Sequence, residues 1–344
     1  MLIYQNHIRD FITDVRENVL ADKMQENFEK RFGKKVGASE FRSWDNSLRL
    51  VRDLIEISEI TDAMIALEYE LPYSQQRIDC LLFGKGSETD ENIVLIELKQ
   101  WDIVEAIEAT DDEGNFVETY TGGGKRIVAH PSQQVKGYSN YLKNFICEFE
   151  KEPPLTLFGC AYCHNYRRDG ETGLYDPMFK KLIEECPVYS RADLKELGAK
   201  IKQLLQKGDG FEIFNRFMQS RVAPSKKLLE NVSNVIGNEE SFSLLNEQIV
   251  AKNLIWSKVR KAKKNNQKSV IIVHGGPGTG KSVIAVNVLA EAAQRAFLYF
   301  TVANQSHSQK GSGQESVKME RNCSPICIVL FLQKWRRMEL IFFL

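Results

Sequence analysis

The sequence predicts an α/β protein made of an α-β-β-β-α-β core followed by helices and the opening of a second domain. Three observations lead there. Apolar, β-branched runs at 63–71, 78–83 and 93–98 are separated by turn-type connectors and read as consecutive strands. Helical spacing precedes them, and a further helix and strand follow, so the order over the first 162 residues is helix, three strands, helix, strand. Later, a strand at 269–274, a glycine-rich loop and a helix at 283–293 stand in direct succession.

Length and composition set the outer limits. A chain of 344 residues is long enough for two domains, and 43% hydrophobic with 27% charged residues describes an ordinary globular protein. Lys+Arg and Asp+Glu both number 46, which excludes a global basic field, so any nucleic-acid surface must be local. The opening MLIYQNHIRDF lacks a basic-then-apolar leader, which predicts a cytoplasmic protein. No run of 18 uncharged apolar residues occurs, so no membrane partner is expected, and the oligomeric state stays open. Seven irregularly spaced cysteines do not form a disulfide framework. Cys160-Ala-Tyr-Cys163-His164 matches the string used for haem attachment, but it falls in a strand pattern, where residues three apart point to opposite faces; plain strand cysteines are the expectation.

Taken in order, residues 10–32 carry Phe11, Val15, Val19, Met24 and Phe28 at helical spacing and predict one amphipathic helix, broken by Gly33 and Gly37. Ser39 can cap a second helix bearing Phe41, Trp44, Leu48, Val51 and Ile55. The strand at 63–71 alternates Ile65, Leu67, Tyr69 and Leu71 against Ala66, Glu68 and Glu70, and Pro72 ends it. Glu68 on that polar face is either an extra acid for a site or a solvated glutamate. A hairpin of 78–83 and 93–98 follows, then an acidic and glycine-rich surface insertion at 102–126. Pro131 heads a helix to about 149, and a strand covers 155–162. Residues 165–235 read as helices (175–185, 192–206, 211–221, 226–235), and a helix at 241–264 ends in a basic cluster suited to its dipole.

The hairpin carries charges that apolar strands do not tolerate without a reason: Asp79 in the first run, Glu97 and Lys99 in the second. Period two puts Glu97 and Lys99 on one face. This Asp, then Glu-x-Lys one strand later, resembles the active site of the PD-(D/E)XK nuclease superfamily, and the element order resembles its α-β-β-β-α-β core. The resemblance implies that Asp79, Glu97 and the Leu98 carbonyl hold Mg²⁺, while Lys99 positions or activates the attacking water. Oxygen ligands of this type suit a hard cation. Gln134 and Tyr138, four apart on the next helix, share a face and resemble the Q-x-x-x-Y motif of the RecB-like branch, which implies a role in holding DNA and the site geometry.

Gly275, Gly276, Pro277, Gly278, Thr279, Gly280, Lys281 and Ser282 form a full G-x-x-x-x-G-K-S between strand and helix. Its backbone N–H groups can wrap the phosphates of ATP, with Lys281 at the β/γ-phosphates and the Ser282 hydroxyl on Mg²⁺. RSWDNSL (42–48), RIDCLLFG (77–84), VLIELKQW (94–101), CAYCHNY (160–166) and VHGGPGTGKSVIAVNVLAE (273–291) together resemble a bacterial fusion of a nuclease-like half with a Schlafen group 3-like DNA/RNA helicase domain. That resemblance implies DNA or RNA as partner. It divides the chain into a nuclease-like domain with a helical extension (1–237), the start of a P-loop domain (238–303) and a tail (304–344). From about 304 the family pattern is expected to lapse, leaving an apolar tail without partners, as after a truncation, and ATPase and helicase activity are expected to be lost with it. Two function classes stay open: a Mg²⁺-dependent nuclease, and a non-catalytic nucleotide- or nucleic-acid-binding module.

Overall fold

The structure, a computed structural model, describes residues 2–72, 74, 76–87, 90–107, 115–223, 225, 246–265, 270–274, 280–281, 283–284, 287–288, 291, 300–304, 328–333 and 339–343. The chain divides into two units, Met1–Lys227 and Leu228–Leu344.

In the first unit β1 (Tyr4–His7) leads into α1 (Ile8–Arg16), α2 (Leu20–Phe32) and α3 (Ala38–Ser58). Where one helix is expected over 10–32 there are two, because Asn18 adopts φ 60 and turns the chain between them. Gly33, at φ 67, closes α2 as a left-handed cap. The cap of α3 is Gly37, without a side-chain hydrogen bond, so Ser39 lies inside the first turn and does not cap.

The strands β2 (Met64–Glu70), β3 (Arg77–Lys85) and β4 (Glu91–Lys99) pair antiparallel in sequence. The insertion after β4 has structure of its own: β5 (Val104–Ala106), β6 (Phe116–Thr121) and β7 (Gly124–Ala129) form a separate three-stranded antiparallel sheet. Its hairpin closes at Thr121↔Gly124 around Gly122 and Gly123, both at positive φ (59 and 82), a two-residue turn that glycine makes without strain. Then α4 (Pro131–Phe145) crosses to β8 (Thr156–Cys163), which runs parallel to β4. After α5 (Lys180–Glu185), β9 (Val188–Ser190) adds a last strand in a region that reads as helical from sequence; three residues are too few to carry a period. The main sheet is six-stranded and mixed, in the order β1-β2-β3-β4-β8-β9.

Both faces of that sheet are covered. On one, Val51, Leu54 and Ile55 of α3 and Leu197 and Ile201 of α6 (Leu194–Leu205) join a core with Ile65, Leu67, Cys80, Leu82, Val94 and Ile96. Each such aliphatic side chain contributes about 1.5–3 kcal/mol of burial. On the other, α7 (Gly210–Met218) sets Phe214 and Phe217 against Phe83, at 5.3 and 5.4 Å between ring centroids. Ala66 is therefore buried, although alternation places it on a polar face.

Tyr69 is the second departure from alternation. It packs on Phe217 at 5.3 Å, on the α7 side, instead of following Ile65 and Leu67 toward α3. The cause is Glu68, whose φ of 53 is left-handed in mid-strand and reverses the sequence of faces.

In the second unit, α8 (Asn246–Asn265) buries Ile255, Trp256 and Val259. Lys281, Val283, Ile284, Asn287, Val288 and Glu291 are helical, and Glu291 meets Lys252 of α8 at 3.3 Å. The strands β10 (Val270–His274), β11 (Phe300–Asn304), β12 (Ile328–Gln333) and β13 (Glu339–Phe343) form one sheet in the order β10-β13-β12-β11. This corrects the expectation of a partnerless tail. The runs IVLFLQ and ELIFF are rich in strand-forming residues, and β13 pairs antiparallel with β10 itself. The helix expected at 226–235 lies outside the described residues. No helix among the described residues is long and apolar enough to cross a membrane.

Candidate functional site

The β3–β4 ladder runs from Lys85↔Glu91 to Cys80↔Ile96. One step further along the same register, Asp79 stands opposite Glu97. There the main-chain N–H of Leu98 donates to Asp79 Oδ2 at 2.8 Å, so a side-chain carboxylate takes a donor that a continuing ladder would use. Two residues on, Lys99 Nζ reaches back along its strand to Glu97 Oε1 at 2.7 Å, as period two requires.

The helix α4 closes the site over the sheet face that carries Glu97. His130 caps it, accepting the Ser132 N–H on Nδ1, and Pro131 occupies the first turn. Close approach to β8 depends on Gly159, where a Cβ would lie 2.7 Å from both Ser139 Oγ and Val135 Cγ1. From this helix Gln134 Nε2 donates to Glu97 Oε1 and to Tyr138 Oη, the latter at 3.0 Å. Glu97 is 2% exposed, both its donors converge on Oε1, and Oε2 is buried without a hydrogen-bond partner.

Glu68 comes in from the neighbouring strand. Its left-handed backbone turns the carboxylate toward Trp44, whose Nε1–H donates to Oε1 at 2.8 Å, and toward Arg77, at 3.1 Å from Oε2. Arg77 also binds Glu40 at 2.5 Å. Glu68 is thus a held acid and not a solvated one, with 12% of its side chain exposed.

Three acids in a water-poor region disturb one another. Burial, then the Asp79 charge, pushes Glu97 up to about 8, against the pull of Lys99. Burial also raises Asp79, with Lys99 and the Leu98 N–H opposing. Burial, then Asp79, raises Glu68 to about 7, with Arg77 and Trp44 opposing. For Lys99 burial acts downward, but Glu97 and Asp79 outweigh it and hold the ammonium above its usual range.

Asp79, Glu97, Lys99, Gln134 and Tyr138 therefore form one connected group, and Glu68 joins it electrostatically: the Asp79 charge raises Glu68, and the Glu68 charge raises Glu97. Trp44 and Arg77 are the members that sequence reasoning does not assign. Trp44 reads as a core aromatic, and the only local sign for Arg77 is its place two residues before Asp79. Among the described residues, no three His, Cys, Asp or Glu side chains gather closely enough to hold a metal ion. The pair that could hold a cation is Asp79 and Glu97, where the partnerless Glu97 Oε2 suits a hard ion that keeps several of its waters.

The other sequence-level candidates separate cleanly. Cys160 and Cys163 are buried on β8, and burial pushes Cys163 up to about 12. His164 spends its ring nitrogens on Ser47 Oγ and Asn165 Oδ1, both at 3.2 Å. Of the phosphate-loop residues, Gly275, Gly276, Pro277, Gly278, Thr279 and Ser282 lie outside the described residues. The Gly280 carbonyl accepts the Ile284 N–H at 3.0 Å, and Lys281 is buried at the head of the helix.

Comparison with known proteins gives one match. Residues 268–324 are similar to the family described as Schlafen group 3, DNA/RNA helicase domain. The match includes the whole glycine-rich loop and continues past residue 303, where the sequence reading expects the resemblance to lapse. No curated protein and no solved structure matches the chain.

Proposed function

We propose that this is a nucleic-acid-processing protein in which a Mg²⁺-dependent nuclease domain of the PD-(D/E)XK type is joined to an ATP-binding, helicase-type P-loop segment. The observation that carries the nuclease reading is Glu97. It is buried opposite Asp79, has one oxygen saturated by Lys99 and Gln134, and has the other without a partner. Such an oxygen costs folding free energy unless a ligand uses it. With the inserted β5–β7 set aside, the order α3-β2-β3-β4-α4-β8 supports this reading by its likeness to an α-β-β-β-α-β core.

Asp79 and Glu97 would hold the ion, which when bound supplies a Lewis acid and an acidified water at the scissile phosphate. The chain's own groups do the rest. Gln134 fixes the rotamer of Glu97 and is itself fixed by Tyr138. Lys99 carries a positive charge to the place where phosphate charge builds up and can orient the attacking water. Glu68, raised to about 7, would exchange a proton with that water. In the second unit, Lys281 would meet the β/γ-phosphates of ATP and Ser282 its Mg²⁺, and the match to a DNA/RNA helicase domain supports nucleic acid as the partner.

The test is Mg²⁺-dependent cleavage of linear duplex and single-stranded DNA and RNA by the full chain. Cleavage should vanish in Asp79→Asn and Glu97→Gln. Wild-type activity that persists in Glu97→Gln removes Glu97 from the site. Mg²⁺ and nucleic-acid binding without cleavage would favour the second reading, a binding module, whose specific support is that Glu97 Oε1 is already fully engaged.

A further inference from the structure

Lys99 feels the Asp79 charge and makes two close contacts of its own. Its ammonium is 2.7 Å from Glu97 Oε1 and lies 5.3 Å from the ring centroid of Trp101, two residues further along the chain. Only 18% of the Lys99 side chain is exposed, so the ammonium has little water to fall back on. Trp101 is itself half-buried and stands in the short connector between β4, which ends at Lys99, and β5, which begins at Val104.

Under the nuclease reading, this geometry poses a conflict. The carboxylate that grips Lys99 is the one required for the cation. A cation on Oε2 draws on the same negative charge that holds Lys99 through Oε1 and so weakens that pair, and a lysine released from a buried pair swings to water on its flexible stem. We propose that Trp101 is the second seat of Lys99: a positioning residue whose ring face retains the ammonium at the site when its pair with Glu97 is weakened. An aromatic face within about 6 Å attracts a cation through its quadrupole, most strongly for tryptophan and where water is scarce. A ring in this role also keeps Lys99 charged without neutralising it, which a third carboxylate would not do.

This inference rests on the nuclease reading for its purpose, but its test does not depend on cleavage. Pulse labelling with trinitrobenzenesulfonate, followed by mass spectrometry of the peptide around residue 99, measures how readily the ε-amine leaves its seat. The Glu97→Gln variant removes the ion pair with little change of shape. Lys99 should remain slow to label in Glu97→Gln and become roughly tenfold faster in Glu97→Gln with Trp101→Leu, which covers the lysine without offering a quadrupole. Glu97→Gln with Trp101→Phe should return to slow labelling, which a loss of fold in the Leu variant would not mimic. Equal rates in Glu97→Gln and in its Trp101→Leu double variant overturn the proposal, whether both are fast or both slow. Absence of Mg²⁺-dependent cleavage by wild type, with the labelling pattern intact, sinks the nuclease reading and leaves the seat of Lys99 in place.

Discussion

Gln134 donates to the same oxygen of Glu97, Oε1, that receives Lys99, and leaves Oε2 of this buried carboxylate without a partner. The amide therefore sets which oxygen is spoken for and which is free. Replacing it with Leu should free the Glu97 rotamer and weaken Mg²⁺ binding by roughly 10–100-fold, the usual effect of losing a group that orients a ligand. Titration calorimetry with MgCl₂ on the wild type and Gln134→Leu measures this. Unchanged affinity would show that Glu97 does not depend on the helix α4 for its aim.

Mg²⁺ binding should strengthen with pH. Burial and Asp79 raise Glu97 to about 8, so below that value the cation must displace a proton. The same shift bears on the metal-free protein in the opposite sense. An acid raised in the folded state contributes stability at low pH that is lost as pH rises through about 8. Calorimetry in two buffers of different ionisation enthalpy should detect proton release at pH 7 and little at pH 9.

His130 should make the first unit acid-sensitive. Its Nδ1 accepts from Ser132 and its Nε2 bonds the Leu174 carbonyl at 3.0 Å, an arrangement for the neutral ring, and burial lowers its pKa to about 4. Between pH 6.5 and 4 the unfolded chain binds a proton that the folded chain does not. The stability is present above 6.5 and falls by about 3 kcal/mol as pH drops through 4. Urea midpoints of wild type and His130→Asn at pH 7.5 and 5 should converge toward acid, the Asn variant having the flatter profile.

Gly159→Ala should act at a distance. The added methyl meets Val135 and Ser139 of α4 at 2.7 Å, so the helix must back away from β8, at a cost of about 1–3 kcal/mol. Because Gln134 and Tyr138 ride on that helix, Mg²⁺ affinity should fall together with thermal stability. A loss of stability without loss of Mg²⁺ affinity would mean that the shift is absorbed locally.

Lys281→Ala should cut binding of a fluorescent ATP analogue by more than about tenfold, since it deletes the charge that would face the β/γ-phosphates. Nucleotide binding equal to that of wild type would remove the glycine-rich loop from the functional account.

How legible these features are in the sequence depends on their range. Glu97 and Lys99 lie two apart on a strand, and Gln134 and Tyr138 four apart on a helix, so local periodicity alone puts each pair on one face. The step from the β3–β4 hairpin to an Asp79 and Glu97 pair needs only the register of adjacent strands. Glu68 is different. Nothing in AMIALEYEL announces a left-handed residue, and the alternation it breaks sends Tyr69 to α7 and the Glu68 carboxylate to Trp44, 24 residues earlier. The three-stranded sheet at 104–129 escapes notice for a related reason: its polar, glycine-rich strands carry little apolar signal.

The sequence by itself determined the α/β class, the strand–turn–strand carrying Asp79, Glu97 and Lys99, and the strand at 270–274 that precedes the glycine-rich motif. All of these are written in spacings of a few residues, where chain geometry leaves few choices. Only the tertiary structure decided that Glu97 Oε1 is shared by Lys99 and Gln134 while Oε2 is orphaned, that Arg77 and Trp44 hold Glu68, and that β13 lies against β10. Those outcomes depend on which groups, far apart in the chain, compete for one buried oxygen or one open strand edge. That competition is settled by packing and desolvation, and local periodicity carries no record of it.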